Sequence, residues 1–430
     1  MKSIFQRFFP LWRSKKIRIA AILATLLIGY QAAFFWKRER DKEQAAIVQE
    51  VQAAGGVVRF DVPILGIRRG AAHGLLRRLY SFVPTDFRAR SIYIGLNQKT
   101  VSDRLLSRIS QLKGVNSLSL RKVKIQDSTL RHLEKMKDLE ELTLDSSTIE
   151  GPGLQHLRHL PSLRVLSLKE IPCGDEEMEA IGELRSLCKL KISSDRVTDR
   201  GILALANLHG LVSLEVHGRL VTSEGLAILE NMPHLAGLSV SDTSVRDLSY
   251  VKRLPELTAL VLRHTLVRDG DLKAIESLPK LRLLNIDATS VGDAGLKSVE
   301  KLTSITHLVM RDTRITGKGL ESIAKLKKLG MFYLDGNDID DSNIMSISGL
   351  ARLETLLLND VDIGDESMNA LKTMQELSHL SIERTKVGDA GLMKLTGLKN
   401  LRHVSAEGSS ITEEGITAFK ELRPNVRIIR

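Results

Sequence analysis

The sequence predicts an α/β solenoid of about fourteen short repeats, preceded by one transmembrane helix. Apolar pairs of the type Leu-x-Leu recur from Ile94 to Val404, with twelve spacings of 24 residues and one of 22, between Leu238 and Leu260. Each repeat combines an alternation typical of a strand with a three-residue apolar spacing typical of a helix. Such a unit cannot bury its apolar side alone, so the regular repetition indicates stacked units. A segment near the amino terminus is uncharged over the length of a membrane span.

The repeats share one internal order, which is clearest in residues 281–302. Residues 284–287 alternate between apolar and polar types, as expected for a short strand with one buried face. Leu296, Val299 and Leu302 recur every three residues and predict a helix packed behind that strand.

Two polar positions recur and are interpreted as structural. An acid before each helix is expected to cap that helix, which favours it over a catalytic or metal-binding role. These acids are Asp103, Asp127, Asp175, Asp199, Asp247, Asp269, Asp293, Asp341, Asp365, Asp389 and Glu413. A small polar residue after the strand is expected to satisfy backbone amides where the chain turns. Its examples are Thr243, Thr265, Thr289, Thr313, Asn337 and Thr385.

Over residues 91–424 the repeat resembles the leucine-rich repeat family, in its 24-residue class L-x-x-L-x-L-x-x-T-x-I-T-D-x-G-L-x-x-L-x-x-L, the type of ribonuclease-inhibitor-like and F-box repeats. The resemblance implies a curved horseshoe with a parallel sheet on the concave face and helices on the convex face. Val123 and Ile171 depart from the threonine of this pattern. The repeat at 235–256 lacks two residues near Asp247, so we expect a short helix and uneven curvature there.

The charge of the chain does not indicate a nucleic-acid partner. Basic residues exceed acidic ones by eleven, but this excess lies in residues 1–90, and residues 91–430 hold 46 of each. Nucleic-acid affinity depends on neutralising phosphates with Lys and Arg, so we expect no nucleic acid. Cys173 and Cys188 occupy different repeat positions and are expected to be free thiols.

The amino-terminal residues predict a membrane anchor. Residues 1–18 are basic, and residues 19–36 carry no charge over about 27 Å of helix, close to the bilayer core thickness. The basic residues before this segment are not balanced by acids, which predicts a cytoplasmic amino terminus, a single pass through the cell (inner) membrane and extracytoplasmic repeats. The alternative is a cleaved signal peptide, for which Gln31-Ala32-Ala33 is a poor cleavage site.

The remaining boundaries follow from composition. Residues 37–43 form a juxtamembrane linker, 44–90 an amino-terminal cap of the solenoid, 91–424 the repeats and 425–430 a terminal strand. The segment leading into the repeats resembles that of membrane-anchored bacterial leucine-rich repeat proteins.

No catalytic or cofactor-binding motif occurs in the sequence. The nucleophile elbow, His-Glu-x-x-His, Cys-x-x-Cys and the glycine-rich phosphate and dinucleotide loops are missing. His156 with His159, and His379 with His403, supply half a metal site at most. We therefore predict no catalytic residue, no metal and no cofactor. An enzyme with a site assembled from scattered residues is a minor alternative.

The outward-facing strand residues are the candidate binding surface. They are polar in the early repeats, but many become apolar from residue 257 onward, beside a row of charges that alternate in sign. An apolar surface rimmed by charge is typical of a protein-binding site, although aliphatic residues are also favoured in parallel strands. The candidates are Val261, Leu283, Val309, Met331, Tyr333 and Leu357 for the apolar part, and Arg263, Asp287, Arg311 and Asp335 for the charged row.

These observations predict a non-enzymatic, membrane-anchored scaffold that binds a protein or cell-envelope ligand on its concave face and contacts the lipid bilayer through 19–36. The resemblance leaves an alternative, an intracellular substrate-recognition adaptor of the F-box leucine-rich repeat type. No F-box-like helical module is found in the sequence, which disfavours that alternative.

Overall fold

The repeats build one long sheet. The computed structural model describes residues 39–61, 91–97, 101–150 and 152–430. The strands are β1 Val57–Asp61, β2 Ser91–Asn97, β3 Val115–Arg121, β4 Lys124–Gln126, β5 Glu141–Thr143, β6 Thr148–Glu150, β7 Val165–Lys169, β8 Lys189–Ser193, β9 Ser213–His217, β10 Gly237–Ser239, β11 Ala259–Val261, β12 Leu283–Asn285, β13 His307–Val309, β14 Met331–Tyr333, β15 Thr355–Leu357, β16 His379–Ser381, β17 His403–Ser405 and β18 Arg427–Ile429.

In these residues the long sheet contains sixteen strands in the order β1, β2, β3, β5 and then β7 to β18, while β4 pairs separately with β6. Neighbours in the long sheet are parallel, except that β1 is antiparallel to β2. The predicted parallel sheet, with one strand per repeat, is confirmed.

Short helices connect the strands. The α-helices are α1 Glu39–Ala53, α2 Asp103–Ile109, α3 Asp127–Leu130, α4 Asp175–Gly182, α5 Asp199–Leu203, α6 Asp293–Val299, α7 Gly317–Ile323, α8 Asp341–Ile344, α9 Met368–Leu371, α10 Asp389–Lys394 and α11 Glu413–Leu422. The 3₁₀ helices are Arg131–Lys135, Gly153–His159, Ala204–Asn207, Gly225–Asn231, Ser249–Arg253, Asp269–Ser277, Met345–Gly349, Asp365–Ser367 and Leu395–Gly397. Tight 3₁₀ turns are common here because each connection must return within one repeat.

The core runs through all described repeats because the central strand residues stack in register. Leu284 pairs with Leu308, Leu308 with Phe332, and Phe332 with Leu356. These side chains are fully buried and belong to one cluster that extends from Ile47 to Val426. Neighbouring repeats therefore share their apolar contacts, as expected of a solenoid.

A left-handed turn follows most strands. In the part of the chain that the structure describes, nine non-glycine residues have positive φ: Lys122, Ser146, Glu170, Asp242, His264, Ala288, Asp312, Asp360 and Arg384. The next residue is often the recurring threonine, and its hydroxyl donates to a carbonyl three residues back, for example from Thr289 to Ile286 at 2.7 Å. The prediction that these residues satisfy backbone amides is therefore wrong for the threonines, because the turn leaves a carbonyl unpaired instead.

Most of the recurring acids link neighbouring repeats and do not cap their own helices; Asp247 is an exception. Asp293 is the first residue of α6, and its carboxylate accepts hydrogen bonds from the Thr316 amide at 2.8 Å and the Thr316 hydroxyl at 2.7 Å. Asp199 binds Thr222 in the same way, and Asp389 binds Thr412. The N-cap prediction is thus wrong, since the acceptor is used by a residue 23 positions later in the next repeat. The structural role of these acids stands.

The short repeat at 235–256 interrupts this series. Its helix is only the 3₁₀ turn Ser249–Arg253, which confirms the predicted shortening. Asp247 binds Ser249 of its own repeat, and the Arg268 amide donates to Asp271 of its own helix. Grooves of about 560 and 500 Å³ open on the two sides of this turn.

Helix α1 covers the first end of the sheet. Ile47, Val48 and Val51 are buried, and Ile47 and Val51 belong to the common core. The Arg108 guanidinium contacts Glu43 at 3.0 Å and Glu50 at 3.5 Å. A polar helix with one buried stripe is thus a cap, as expected where a solenoid ends. The domain boundaries at 37–43, 44–90 and 425–430 stay predictions.

The predicted fold class needs one correction. Among the described residues, no helix has the length and apolar character needed to cross a bilayer. The solenoid is supported, and the transmembrane helix expected before it is not. The segment for which that helix was predicted, 19–36, lies outside the described residues, as does the basic segment 1–18. The cellular location stays a prediction.

Candidate functional site

The wall is the outward face of the long sheet. In each short strand the central side chain is buried and its two neighbours are partly exposed, as in β14, where Phe332 lies in the core between Met331 and Tyr333. Successive side chains of a strand point to opposite faces, so these neighbours face away from the core. The strand register then aligns them in rows that cross the sheet.

Two of these rows bring the predicted apolar candidates together. The first row contains Ala259, Leu283, His307, Met331 and Thr355 on β11 to β15. The second row contains Val261, Asn285, Val309, Tyr333 and Leu357 on the same strands. We call the six apolar side chains of these rows, Val261, Leu283, Val309, Met331, Tyr333 and Leu357, the apolar patch.

The apolar patch lies on five adjacent strands, as the sequence predicts, but it is neither continuous nor fully exposed. Asn285 and His307 interrupt its two rows. Each of the six side chains is half-buried. Neighbouring strands cover part of each side chain, so the solvent-exposed area of the apolar patch is smaller than the sequence suggests.

Within the charged row, the structure joins Asp287 and Arg311. The Arg311 guanidinium donates from Nε at 3.0 Å and Nη2 at 2.7 Å to Asp287 Oδ2, and the Arg311 amide donates to Oδ1 at 2.8 Å. Asp287 is 3% exposed. Its hydrogen bonds raise the pKa of Arg311 above the ordinary value. A buried carboxylate held this way is committed to the fold and is not free to bind a ligand.

The other two charged candidates are not paired with each other. Asp335 accepts a hydrogen bond from the Asn359 amide at 2.8 Å, and its burial raises its pKa above the ordinary value. The Arg263 side chain is exposed and has no hydrogen-bond or ion-pair partner among the residues that the structure describes. Of the four predicted charges, Arg263 is therefore the one available to a partner.

Tyr333 lies between Val309 and Leu357 in the second row of the apolar patch. The Arg311 guanidinium lies 6.0 Å from the centroid of its ring, at the outer limit for an attractive contact with the aromatic face. Asp287 holds Arg311 in turn. A tyrosine that is held in place loses little conformational entropy when a partner binds it.

A second cluster, which sequence reasoning missed, lies on β7 to β9 and in the turns that follow β10 and β11. Glu215 contacts the ammonium groups of Lys169 and Lys191, the latter at 3.1 Å, and His217 at 3.3 Å. Asp242 contacts His217 at 3.3 Å and His264 at 2.8 Å. We call these six residues, Lys169, Lys191, Glu215, His217, Asp242 and His264, the ionic network.

Contacts within the ionic network shift the pKa values of Glu215, His217 and Asp242. The hydrogen bond with His217 holds the pKa of Glu215 far below its usual range, and Lys169 and Lys191 add to this effect. Glu215 raises the pKa of His217, which burial opposes and Asp242 supports. Burial raises the pKa of Asp242, but hydrogen bonds with His264 and His217 outweigh it and leave the pKa below its usual value.

Some of the neighbours in the ionic network can be predicted from the sequence. Lys191 and Glu215 become neighbours when residues are compared at the repeat spacing, because strands pair at that spacing, and Lys169 aligns in the same way with Ser193 and then His217. Asp242 and His264 cannot be placed by strand alternation, since both lie in left-handed turns after the strands.

The histidine pairs and the cysteines singled out in the sequence have the following surroundings. The His379 and His403 rings stack with centroids 4.7 Å apart, and His156 Nδ1 donates to the Glu134 carboxylate at 2.6 Å. In the described ranges, no group of three His, Cys, Asp or Glu side chains is arranged to hold a metal ion. Cys173 and Cys188 are free thiols, as predicted, and burial raises the pKa of Cys173 to about 11.

Comparison with known proteins identifies the repeat. A family model described as a leucine-rich repeat region matches residues 90–294. An internalin from Listeria monocytogenes has a similar structure, with a TM-score of 0.53 and 20% identity over 83% of this chain and 93% of that one. A leucine-rich repeat protein from Leptospira interrogans has a TM-score of 0.51 and 17% identity over 75% of this chain and 92% of that one. No curated protein matches the sequence significantly.

Proposed function

The chain is a leucine-rich repeat protein, and from this premise we propose that it is a non-enzymatic scaffold whose wall binds a protein ligand through the apolar patch. Leucine-rich repeat proteins generally act as protein-interaction scaffolds. The distant similarity to the solved structures supports the fold alone, so the case for this surface rests on the chain's own residues.

The single observation that supports the proposal most is the position of Tyr333 and Leu357. They are neighbours in one row of the sheet, and Val309 is the other neighbour of Tyr333 in that row. Residues that dominate protein interfaces are enriched in tyrosine and are flanked by contacts that exclude water. The half-buried apolar residues beside Tyr333 match this description.

The grooves beside the short repeat are weaker candidates. They are lined by mixed charges and small polar residues, including Asp247, Lys252, Asp271 and Lys273. Small-molecule sites are predominantly apolar with a few convergent polar groups, and these grooves lack such a lining.

The test is capture of a binding protein by the full chain and by a variant with Tyr333→Ser and Leu357→Ser. Both side chains are partly exposed, so we expect the variant to fold normally by circular dichroism and thermal unfolding. We expect it to lose the captured protein, because the contacts of the one aromatic residue of the apolar patch and of its neighbour in the row are gone.

The matched control is Leu220→Ser. Leu220 is 52% exposed and lies in a turn outside the strands, so its loss removes a comparable apolar side chain without touching the apolar patch. Equal capture by the wild type and the double variant would overturn the proposal, as would a loss of capture in Leu220→Ser of the same size.

A further inference from the structure

The rows of the apolar patch have a spacing that selects the shape of a partner. They run across the strands, so neighbouring side chains of one row are separated by the distance between paired strands, about 4.8 Å. Val261 on β11 and Leu357 on β15 are therefore about 19 Å apart along the row.

An α-helix and an extended segment meet this spacing differently. A helix presents one side chain per turn on the same face, at intervals of about 5.4 Å. An extended segment presents same-face side chains about 6.6 Å apart. The mismatch is then about 0.6 Å per strand for the helix and about 1.8 Å for the extended segment. Over four intervals the extended segment loses register by more than one strand spacing, whereas the helix does not.

Charged residues at the two ends of the apolar patch favour one orientation of a bound helix. Arg263 and Arg282 are exposed beside β11 and β12, and Glu354 is exposed beside β15. None of these three side chains has a hydrogen-bond or ion-pair partner within the described part of the chain. A helix carries partial positive charge at its amino terminus and partial negative charge at its carboxyl terminus. The arginine end thus favours a helix carboxyl terminus or acidic side chains, and the Glu354 end favours an amino terminus.

We propose that the ligand segment is an amphipathic α-helix of about thirteen residues that lies across β11 to β15, with its amino terminus near Glu354 and an acidic carboxyl-terminal end near Arg263 and Arg282. This inference rests on the proposed function, because it specifies which kind of protein segment the apolar patch binds. The length follows from about 19 Å at 1.5 Å per residue.

The test uses two displayed peptide libraries with equal apolar and charged content, selected on the full chain. One library places its apolar residues at helical spacing on an alanine-rich frame, and the other alternates them on a β-prone frame. We expect binders that depend on Tyr333 and Leu357 to come from the helical library and to bind at least about tenfold more tightly than any extended binder.

Arg263→Glu tests the direction. Selected helices with an acid near the carboxyl terminus should bind this variant about two- to fivefold more weakly, the range of an exposed ion pair, and replacement of that acid by lysine should restore the affinity. The matched control is Arg268→Glu, which reverses an exposed arginine away from the apolar patch and should leave affinity unchanged.

The outcomes separate this inference from the proposed function. Binders that arise mainly from the extended library, or from neither library, overturn the helical ligand. If the captured protein still requires Tyr333 and Leu357, the scaffold function stands. If binding of every peptide and of the captured protein is indifferent to both residues, the scaffold function fails as well.

Discussion

The ionic network and the apolar patch are neighbouring regions of one wall over one core, but they differ in whether their surface side chains have polar partners within the chain. In the ionic network, Glu215 and Asp242 are each shared by two or three cationic or histidine side chains. In the apolar patch, six half-buried apolar side chains lie in two rows that Asn285 and His307 interrupt. The charged groups of the ionic network already have partners within the chain. The apolar patch has apolar surface that a partner could remove from water.

This difference teaches where binding energy is available on a repeat scaffold. A partner of the ionic network must replace hydrogen bonds and ion pairs that already exist, so its net gain is small. A partner of the apolar patch removes apolar surface from water at about 25 cal/mol per Å² and breaks no polar contact. The number of charges on a surface is therefore a poor guide to its affinity for proteins.

The largest expected effect concerns the shared core and is the same in both stretches. Leu214 lies under the ionic network and Leu308 under the apolar patch, and both are almost completely buried. Leu214→Ala and Leu308→Ala should each lower the free energy of unfolding by about 2 to 5 kcal/mol, because each leaves a cavity. Urea unfolding followed by circular dichroism measures both. Values that differ by more than about 2 kcal/mol would mean that the two stretches do not share an equivalent core.

The next effect separates Asp287 from an ordinary surface acid. Asp287→Ala leaves the Arg311 amide without its acceptor and should lower the free energy of unfolding by about 1 to 3 kcal/mol. Asp287→Asn is the matched control, since its amide oxygen still accepts from the Arg311 amide, and it should recover at least half of that loss. Equal losses in the two variants would show that the ion pair, not the backbone hydrogen bond, carries the effect.

A smaller effect is the pH dependence that the ionic network adds to stability. Because the folded pKa of His217 lies above that of an unfolded histidine, its contribution is complete below about pH 6.5 and is lost as pH rises through the raised value. Glu215 and Asp242 have lowered folded pKa values, so their contributions are present above about pH 4.5 and are lost as pH falls.

We therefore expect the unfolding free energy to fall by up to about 1 kcal/mol between pH 6 and pH 8.5 through loss of the His217 charge. His217→Asn should remove this component, and His209→Asn, at an exposed site outside the ionic network, should retain it. Urea midpoints of the three proteins at both pH values are the measurement. If the unfolding free energy of His217→Asn changed between the two pH values as much as that of the wild type, other groups would be responsible for the pH dependence.

The smallest effect is the contribution of the ionic network to partner binding. Lys191→Ser leaves Glu215 in contact with Lys169 and His217, so the network stays largely satisfied. We expect the affinity of the captured protein to change by less than about threefold, against at least about thirtyfold for Tyr333→Ser with Leu357→Ser. Titration of the purified partner by calorimetry compares them, and a larger loss in Lys191→Ser would reverse the comparison.

The repeat spacing was sufficient to predict the strands and the rows of the wall, whereas the parallel order of the strands was implied by the resemblance to the leucine-rich repeat family. Strand alternation is local, and a constant repeat length puts equivalent residues side by side, as Tyr333 and Leu357 show. The same spacing placed Val261, Leu283, Val309 and Met331 on adjacent strands.

The hydrogen-bond partners could not be predicted in this way. Asp293 lies next to the helix that it was expected to cap, and its actual partner, Thr316, lies in the next repeat. Which donor a carboxylate binds depends on how the turns of adjacent repeats approach, and that distance is not encoded in local spacing. The exposure of the apolar patch was overestimated for a related reason, because neighbouring strands cover part of each side chain.

The interruption at the short repeat has a consequence for how the fold opens. On the helical side of this repeat, Asp247 accepts a hydrogen bond within its own repeat, and the Arg268 amide donates to Asp271. Grooves lie on both sides of the helical turn. The sheet, in contrast, continues from β10 to β11. In hydrogen exchange we expect the backbone amides of residues 246–273 to exchange earlier than those of the repeats on either side. Opening is therefore expected to begin on the helical side of the short repeat, while the sheet and the apolar core stay continuous across it.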